Sequence, residues 1–109
     1  MHDYPGFCRV ILNRHVSEMS DLPPAEQQRL MLVVFVVEAV LRHLMRPDKI
    51  NLASLGNVVP HLHWHVIPRF RDDAHFPQPI WGAPLRTAGG RSAADLHSFS
   101  AALAAALAE

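Results

Sequence analysis

The residues best able to do chemistry fall in one short run, His61-Leu62-His63-Trp64-His65. Eight histidines occur in the 109 residues, and three of them alternate strictly here. In an extended strand, successive side chains point to opposite faces. His61, His63 and His65 are therefore expected on one face, with Leu62, Trp64 and Val66 turned towards a core. A row of imidazoles backed by an apolar face suits two kinds of chemistry. The first is metal binding. Zinc–nitrogen bonds of about 2.0–2.1 Å require the bound nitrogens to lie within about 4 Å of one another. Same-face neighbours on a strand stand roughly 6.5–7 Å apart, so two of these rings can lean together but three can hardly converge. No Asp or Glu lies inside the run to complete a ligand set.

The second chemistry is nucleophilic attack on phosphorus. A neutral imidazole is a good nucleophile near pH 7, and the phosphoramidate it forms is reactive enough for water to cleave. The attacking nitrogen must carry a lone pair, so the other ring nitrogen should donate its proton to a fixed acceptor such as a backbone carbonyl. Flanking imidazoles can then hydrogen-bond the non-bridging phosphate oxygens, where charge builds up. A row of three supplies one attacker and two helpers, which makes this the better fit.

Such a row must be held by a rigid frame. Tyr4-Pro5-Gly6 reads as a turn, followed by a strand over 7–12. Ser20 or Asp21 is expected to cap a helix over 24–45, with Pro23 and Pro24 at its start and Pro47 beyond its end. Leu30, Val33, Val34, Val37, Val40, Leu41 and Leu44 follow helical spacing. Leu32, Phe35 and Val36 lie off that stripe, and a second apolar face on so small a domain points to a homodimer. A second strand is predicted over 50–55 and a turn at Gly56-Asn57. A third strand segment covers 58–68, with Pro60 near its entry. Residues 69–91 read as a polar loop, with Arg69, Arg71, Asp72 and Asp73 as solvated charges and Phe76 and Trp81 as tethers. Ser92 is expected to cap a last helix reaching about residue 108. Trp64 is read as core, His15 as a capping or surface residue with a place at the site as the alternative, and Cys8 as strand core.

The length allows one domain, over residues 1–109. Lys and Arg total 10, as do Asp and Glu, and this balance argues against a nucleic-acid backbone as partner. The longest apolar run, 30–37, is too short for a membrane span, and no signal peptide is evident. With a single cysteine, no disulfide can form within the chain. Together these features predict a cytoplasmic protein.

His61-Leu62-His63-Trp64-His65-Val66-Ile67 resembles the signature of the histidine triad family, in which three histidines alternate with apolar residues. The approach from Ile50 to Pro60 is similar to that family's phosphate-binding strand and turn. Pro5-Gly6, an apolar strand, Asn13-Arg14-His15 and a helix also occur in the family's order. The resemblance covers about residues 4–82 as the core, leaving a C-terminal extension and helix over 83–109. It implies an α+β fold whose antiparallel sheet has about five strands, with a long helix, a C-terminal helix and dimeric pairing. It further implies cleavage of nucleotide conjugates at the α-phosphate: dinucleoside polyphosphates, nucleoside phosphoramidates or nucleotide sugars. The N-terminal hairpin of relatives has no counterpart in this sequence. Carried over, His63 is the nucleophile, His61 orients it, and His65 contacts phosphate oxygens. Asn51, Gly56, Asn57 and Val58 bind substrate. No protein-bound metal or cofactor is implied, though magnesium carried by the substrate phosphates can tune the rate. Phe7 stands where many relatives have a histidine, and Val58 where some have a hydroxyl residue. These departures keep open a weakly active nucleotide-binding regulatory protein on the same scaffold, and the histidine row itself leaves a small metal-binding protein as a further alternative.

Overall fold

The computed structural model describes residues 6–89 and 96–108. Strand β1 (Cys8–Ile11), a 3-10 turn (Met19–Asp21), helix α1 (Pro24–Met45), strands β2 (Lys49–Ala53) and β3 (His63–Arg69), and helix α2 (Leu96–Leu107) follow in chain order. The strands form an antiparallel sheet in the order β1-β3-β2, so the strand carrying His63 and His65 is central. This is the expected α+β architecture, with three strands among the described residues. No helix among them is long and apolar enough to cross a membrane.

Alternation along β3 divides the sheet into two working faces. Val66 pairs with Cys8 and Leu52, and with Ile50 it meets Val34, Val37 and Leu41 of α1 in the main core. Phe99 and Leu103 of α2 pack on the same cluster. Trp64 sits half-buried on this face, as its alternation requires. Cys8 also packs here, its thiol donating to the Gly6 carbonyl, and burial pushes its pKa up. The opposite face carries His63, His65, Ile67 and Arg69, opposite Ile11 and Arg9 on β1 and Ala53, Asn51 and Lys49 on β2.

Several local expectations are corrected. β3 begins at His63, not 58, because residue 62 pairs outside the ladder: its N–H donates to the Val16 carbonyl at 2.7 Å. β2 ends at Ala53, two residues early. Ser20 and Asp21 do not cap α1. They belong to the 3-10 turn, and Pro23 takes the N-cap position without a side-chain bond. At the far end Arg46 adopts φ 50°, its N–H donating to the Arg42 carbonyl, and Pro47 prevents continuation. The Ser92 cap and the Tyr4-Pro5 part of the first turn lie outside the described residues.

The loop after β3 differs most from expectation. Arg69 and Asp73 are buried, not solvated, at 2% and 5% exposure. Arg69 donates to both Asp73 carboxylate oxygens, at 2.7 and 3.0 Å, to the Gln78 carbonyl, and to Asn51 Oδ1 at 2.7 Å. Asp73 also accepts from the backbone N–H groups of Phe70, His75 and Phe76. Arg86 donates to the Asp73 and Phe76 carbonyls. Here sequence composition misleads: a loop rich in charge is polar because it is internally paired. Ile80, buried against Ile67 and Phe7, is the tether, while Trp81 stays half-exposed.

Candidate functional site

His63 enters the site at the first position of β3, half-buried. Its Nδ1 lies 2.6 Å from the His61 carbonyl oxygen, which can only accept, so Nδ1 carries the proton. The lone pair of a neutral His63 is therefore on Nε2. Ser54 Oγ donates to the His63 carbonyl at 2.8 Å and steadies the same residue from the end of β2.

His61 does not stand in the row as predicted. It precedes the ladder, and its ring turns towards the segment after β1, with Nε2 2.6 Å from the Leu12 carbonyl. By the same logic Nε2 of His61 is protonated. Its Nδ1 meets His15 Nδ1 at 3.2 Å. His61 thus acts on His63 through its main chain rather than by lying beside it as a third equal ring.

His65 follows the row. Its ring packs edge-on against His63, Trp81 and Phe7, with centroids 4.9, 5.1 and 5.5 Å away. Burial lowers its pKa from the ordinary histidine value, and the charges of His63 and Arg9 lower it further. It is therefore neutral at pH 7. Its Nδ1 is enclosed without a hydrogen-bond partner. An orphaned buried N–H is rarer than an orphaned acceptor, which favours the tautomer with the proton on Nε2. That leaves one donor for an incoming oxygen.

A groove of about 370 Å³ opens beside His61 and His63, between the 3-10 turn and the end of β2, with Ser17, Ser20, Ser54 and Gly56 on its walls. Gly56 has φ +76°, a conformation that side chains rarely adopt, while a Cβ there would meet only ordinary contacts at 3.6 Å. The backbone angle, not space, requires glycine. Asn57 and Val58 follow on the exposed loop, Val58 at 92% exposure. Asn51 lies elsewhere on the histidine face of the sheet, by a wider depression lined by Lys49 and Trp81. Its Oδ1 is taken by Arg69, so its amide N–H groups are left to donate. Among the described residues, no three His, Cys, Asp or Glu side chains gather as a metal site.

Arg9 was not singled out from sequence. It pairs directly with His65 across the ladder, is exposed, and adds positive charge to the histidine face. The signal was available only once the register was known. Anionic groups fit this arrangement: a ring nitrogen with a free lone pair, an N–H donor, an amide and a cation share one side of the sheet.

Comparison with known proteins bears on this site. The HIT domain model matches residues 3–72. An AP-4-A phosphorylase of Mycobacterium tuberculosis is 34% identical over 87 residues, 74% of this chain and 45% of the relative. A bis(5'-nucleosyl)-tetraphosphatase (asymmetrical) of Schizosaccharomyces pombe is 34% identical over 74 residues, 63% of this chain and 41% of the relative. The chain thus spans less than half the length of these curated relatives. Among solved structures, a histidine triad protein of Bradyrhizobium japonicum superposes with a TM-score of 0.71 at 32% identity, covering 97% of this chain and 75% of that one. One from Sinorhizobium meliloti gives 0.70 at 29%, covering 98% and 75%. On the domain match, the identity and the shared fold together, this chain belongs to the HIT family.

Proposed function

We propose that the chain is a nucleotide-conjugate hydrolase or nucleotidyl transferase acting at the α-phosphate through a covalent nucleotidyl-histidine on His63. One observation carries the reading: the 2.6 Å bond from His63 Nδ1 to the His61 carbonyl, which presents Nε2 as a fixed nucleophile. In the first step the Nε2 lone pair forms an N–P bond to the α-phosphorus. The P–O bond to the remaining phosphates breaks, and that oxygen leaves as a phosphate anion without needing a proton. The modified ring keeps its Nδ1 proton and becomes cationic, and the His61 carbonyl stabilises it. In the second step water attacks phosphorus, gives its proton to solvent, and returns the electron pair to Nε2. In a transferase another acceptor oxygen replaces water. His65 Nε2–H donates to a non-bridging oxygen throughout. Asn51, Gly56, Asn57 and Val58 are proposed to line the path of the substrate phosphates.

The relatives' names point to dinucleoside polyphosphates as the substrate class. The test is turnover of a panel of dinucleoside polyphosphates and nucleoside phosphoramidates. Release of a nucleoside monophosphate, or of a nucleoside diphosphate when inorganic phosphate is the acceptor, is expected. Activity should survive exhaustive chelation, apart from the contribution of magnesium bound to substrate. Loss restored only by zinc would favour a metal site instead. A nucleotide-binding protein of low turnover is the second reading. Phe7 favours it, since an apolar ring against His65 offers that histidine no hydrogen bond. Tight binding without turnover across the panel would select it.

A further inference from the structure

The His15–His61 contact is not used by the chemistry above. Its two Nδ1 atoms stand 3.2 Å apart, with ring centroids at 5.3 Å and planes tilted by 47°. His61 Nε2 already donates to the Leu12 carbonyl, so a neutral His61 has only a lone pair at Nδ1. His15 must then supply the proton in the gap. Two protonated Nδ1 groups cannot face each other at this distance, so the contact specifies one shared proton.

The surrounding backbone gives this contact a purpose. Residues 61 and 62 lie just outside the β3 ladder and are held by the segment that follows β1. Leu12 N–H donates to the Leu62 carbonyl, and Leu62 N–H donates to the Val16 carbonyl. His15 lies inside that clamp and fixes the His61 ring from the side opposite Leu12. Arg14, its neighbour, is drawn away into an ion pair with Glu26 of α1. Residue 61 is the one whose carbonyl holds the proton of His63.

We infer that His15 is a positioning residue for the reaction: through its hydrogen bond to His61 it holds the carbonyl that fixes the tautomer and aim of His63. This rests on the proposed role of His63 as nucleophile. A bond of this kind acts on geometry in the chemical step and little on substrate binding.

The experiment compares His15→Phe and His15→Asn with the unaltered chain. Phenylalanine keeps the ring packing but cannot donate, whereas the asparagine amide nitrogen can reach the place of Nδ1. His15→Phe should lower kcat about tenfold with KM within about twofold, as expected for a misdirected nucleophile. His15→Asn should recover to within about threefold of the original kcat. Nitrogen-15 spectra of the imidazoles should show the His61 Nδ1 resonance displaced in His15→Phe and largely restored in His15→Asn. An unchanged kcat and an unmoved His61 resonance in His15→Phe overturn the inference, as do equal losses in both variants. His63→Ala is measured alongside. Retained turnover there overturns the nucleophile reading, and the positioning role with it. An inactive His63→Ala beside an unaffected His15→Phe overturns the His15 inference alone.

Discussion

A histidine attacks phosphorus only through a ring nitrogen that carries a lone pair and is aimed, and in a neutral His63 the carbonyl two residues back fixes the proton on Nδ1 and leaves the lone pair on Nε2. The His63→Ala variant should therefore lose several orders of magnitude in kcat/KM while unfolding at an unchanged denaturant midpoint. More than about a tenth of the original activity would contradict the assignment. Arg9→Leu is expected to do less. Its charge is exposed, so its loss should raise KM for a polyphosphate about fivefold, the equivalent of about 1 kcal/mol. It should also let the His65 pKa rise, because Arg9 is one of the charges that lower it. A histidine titration by NMR reads this directly. At this scale the sequence was informative where chemistry is local. The alternation of His63 and His65 survives in the strand, whereas His61 leaves the row because Val16 and Leu12 claim its neighbour's backbone, a pairing no local pattern reveals.

The elements depend on a loop that composition alone would leave in solvent. Arg69 and Asp73 lock the segment after β3 onto the histidine face, which brings Ile80 onto the core and Trp81 against His65. Removing one partner of such a buried pair leaves an uncompensated charge. Asp73→Asn should therefore cost about 3–5 kcal/mol in chemical denaturation. The same pair governs acid stability. Burial pushes the Asp73 carboxyl up, but the Arg69 bond and three backbone N–H groups outweigh it and hold the pKa at about 2, against 3.8 ordinarily. The unfolded chain thus binds more protons than the folded one between these values, and stability falls as pH drops through that window. Asp73→Asn should flatten this acid limb in denaturation midpoints measured from pH 5 to about pH 2. Periodicity located α1, whose bounds match the prediction, because a long amphipathic helix writes its pattern locally. The Arg69–Asp73 pair was missed because its partners, Asn51 and Gln78, are distant in sequence or offer only a backbone carbonyl.

At the scale of the whole molecule, α1 covers one face of the sheet and leaves part of its own surface bare. Of the three residues off the stripe, Leu32 and Phe35 are 51% and 52% exposed, whereas Val36 is half-buried within the chain. Covering the exposed half of each is worth about 1 kcal/mol, so the four side chains brought together by two copies contribute on the order of 4 kcal/mol towards pairing. The chain should elute as a dimer at tens of micromolar in size-exclusion chromatography with light scattering, and Phe35→Glu should give monomers or aggregates. A well-behaved monomer of the unaltered chain would contradict this reading of the helix. That surface was legible in sequence as an excess of apolar residues off the stripe that faces the sheet.

Trapping the proposed nucleotidyl-histidine on His63 tests this chemistry at its decisive step. The purified chain would be mixed with a dinucleoside polyphosphate labelled at the α-phosphate, quenched within milliseconds under alkaline denaturing conditions, and mapped by peptide mass spectrometry. A nucleoside monophosphate adduct is expected on the peptide containing His63, stable to base, labile to acid, and missing from His63→Ala. Steady turnover with no label on the protein at any quench time, or label on a residue other than His63, would contradict it.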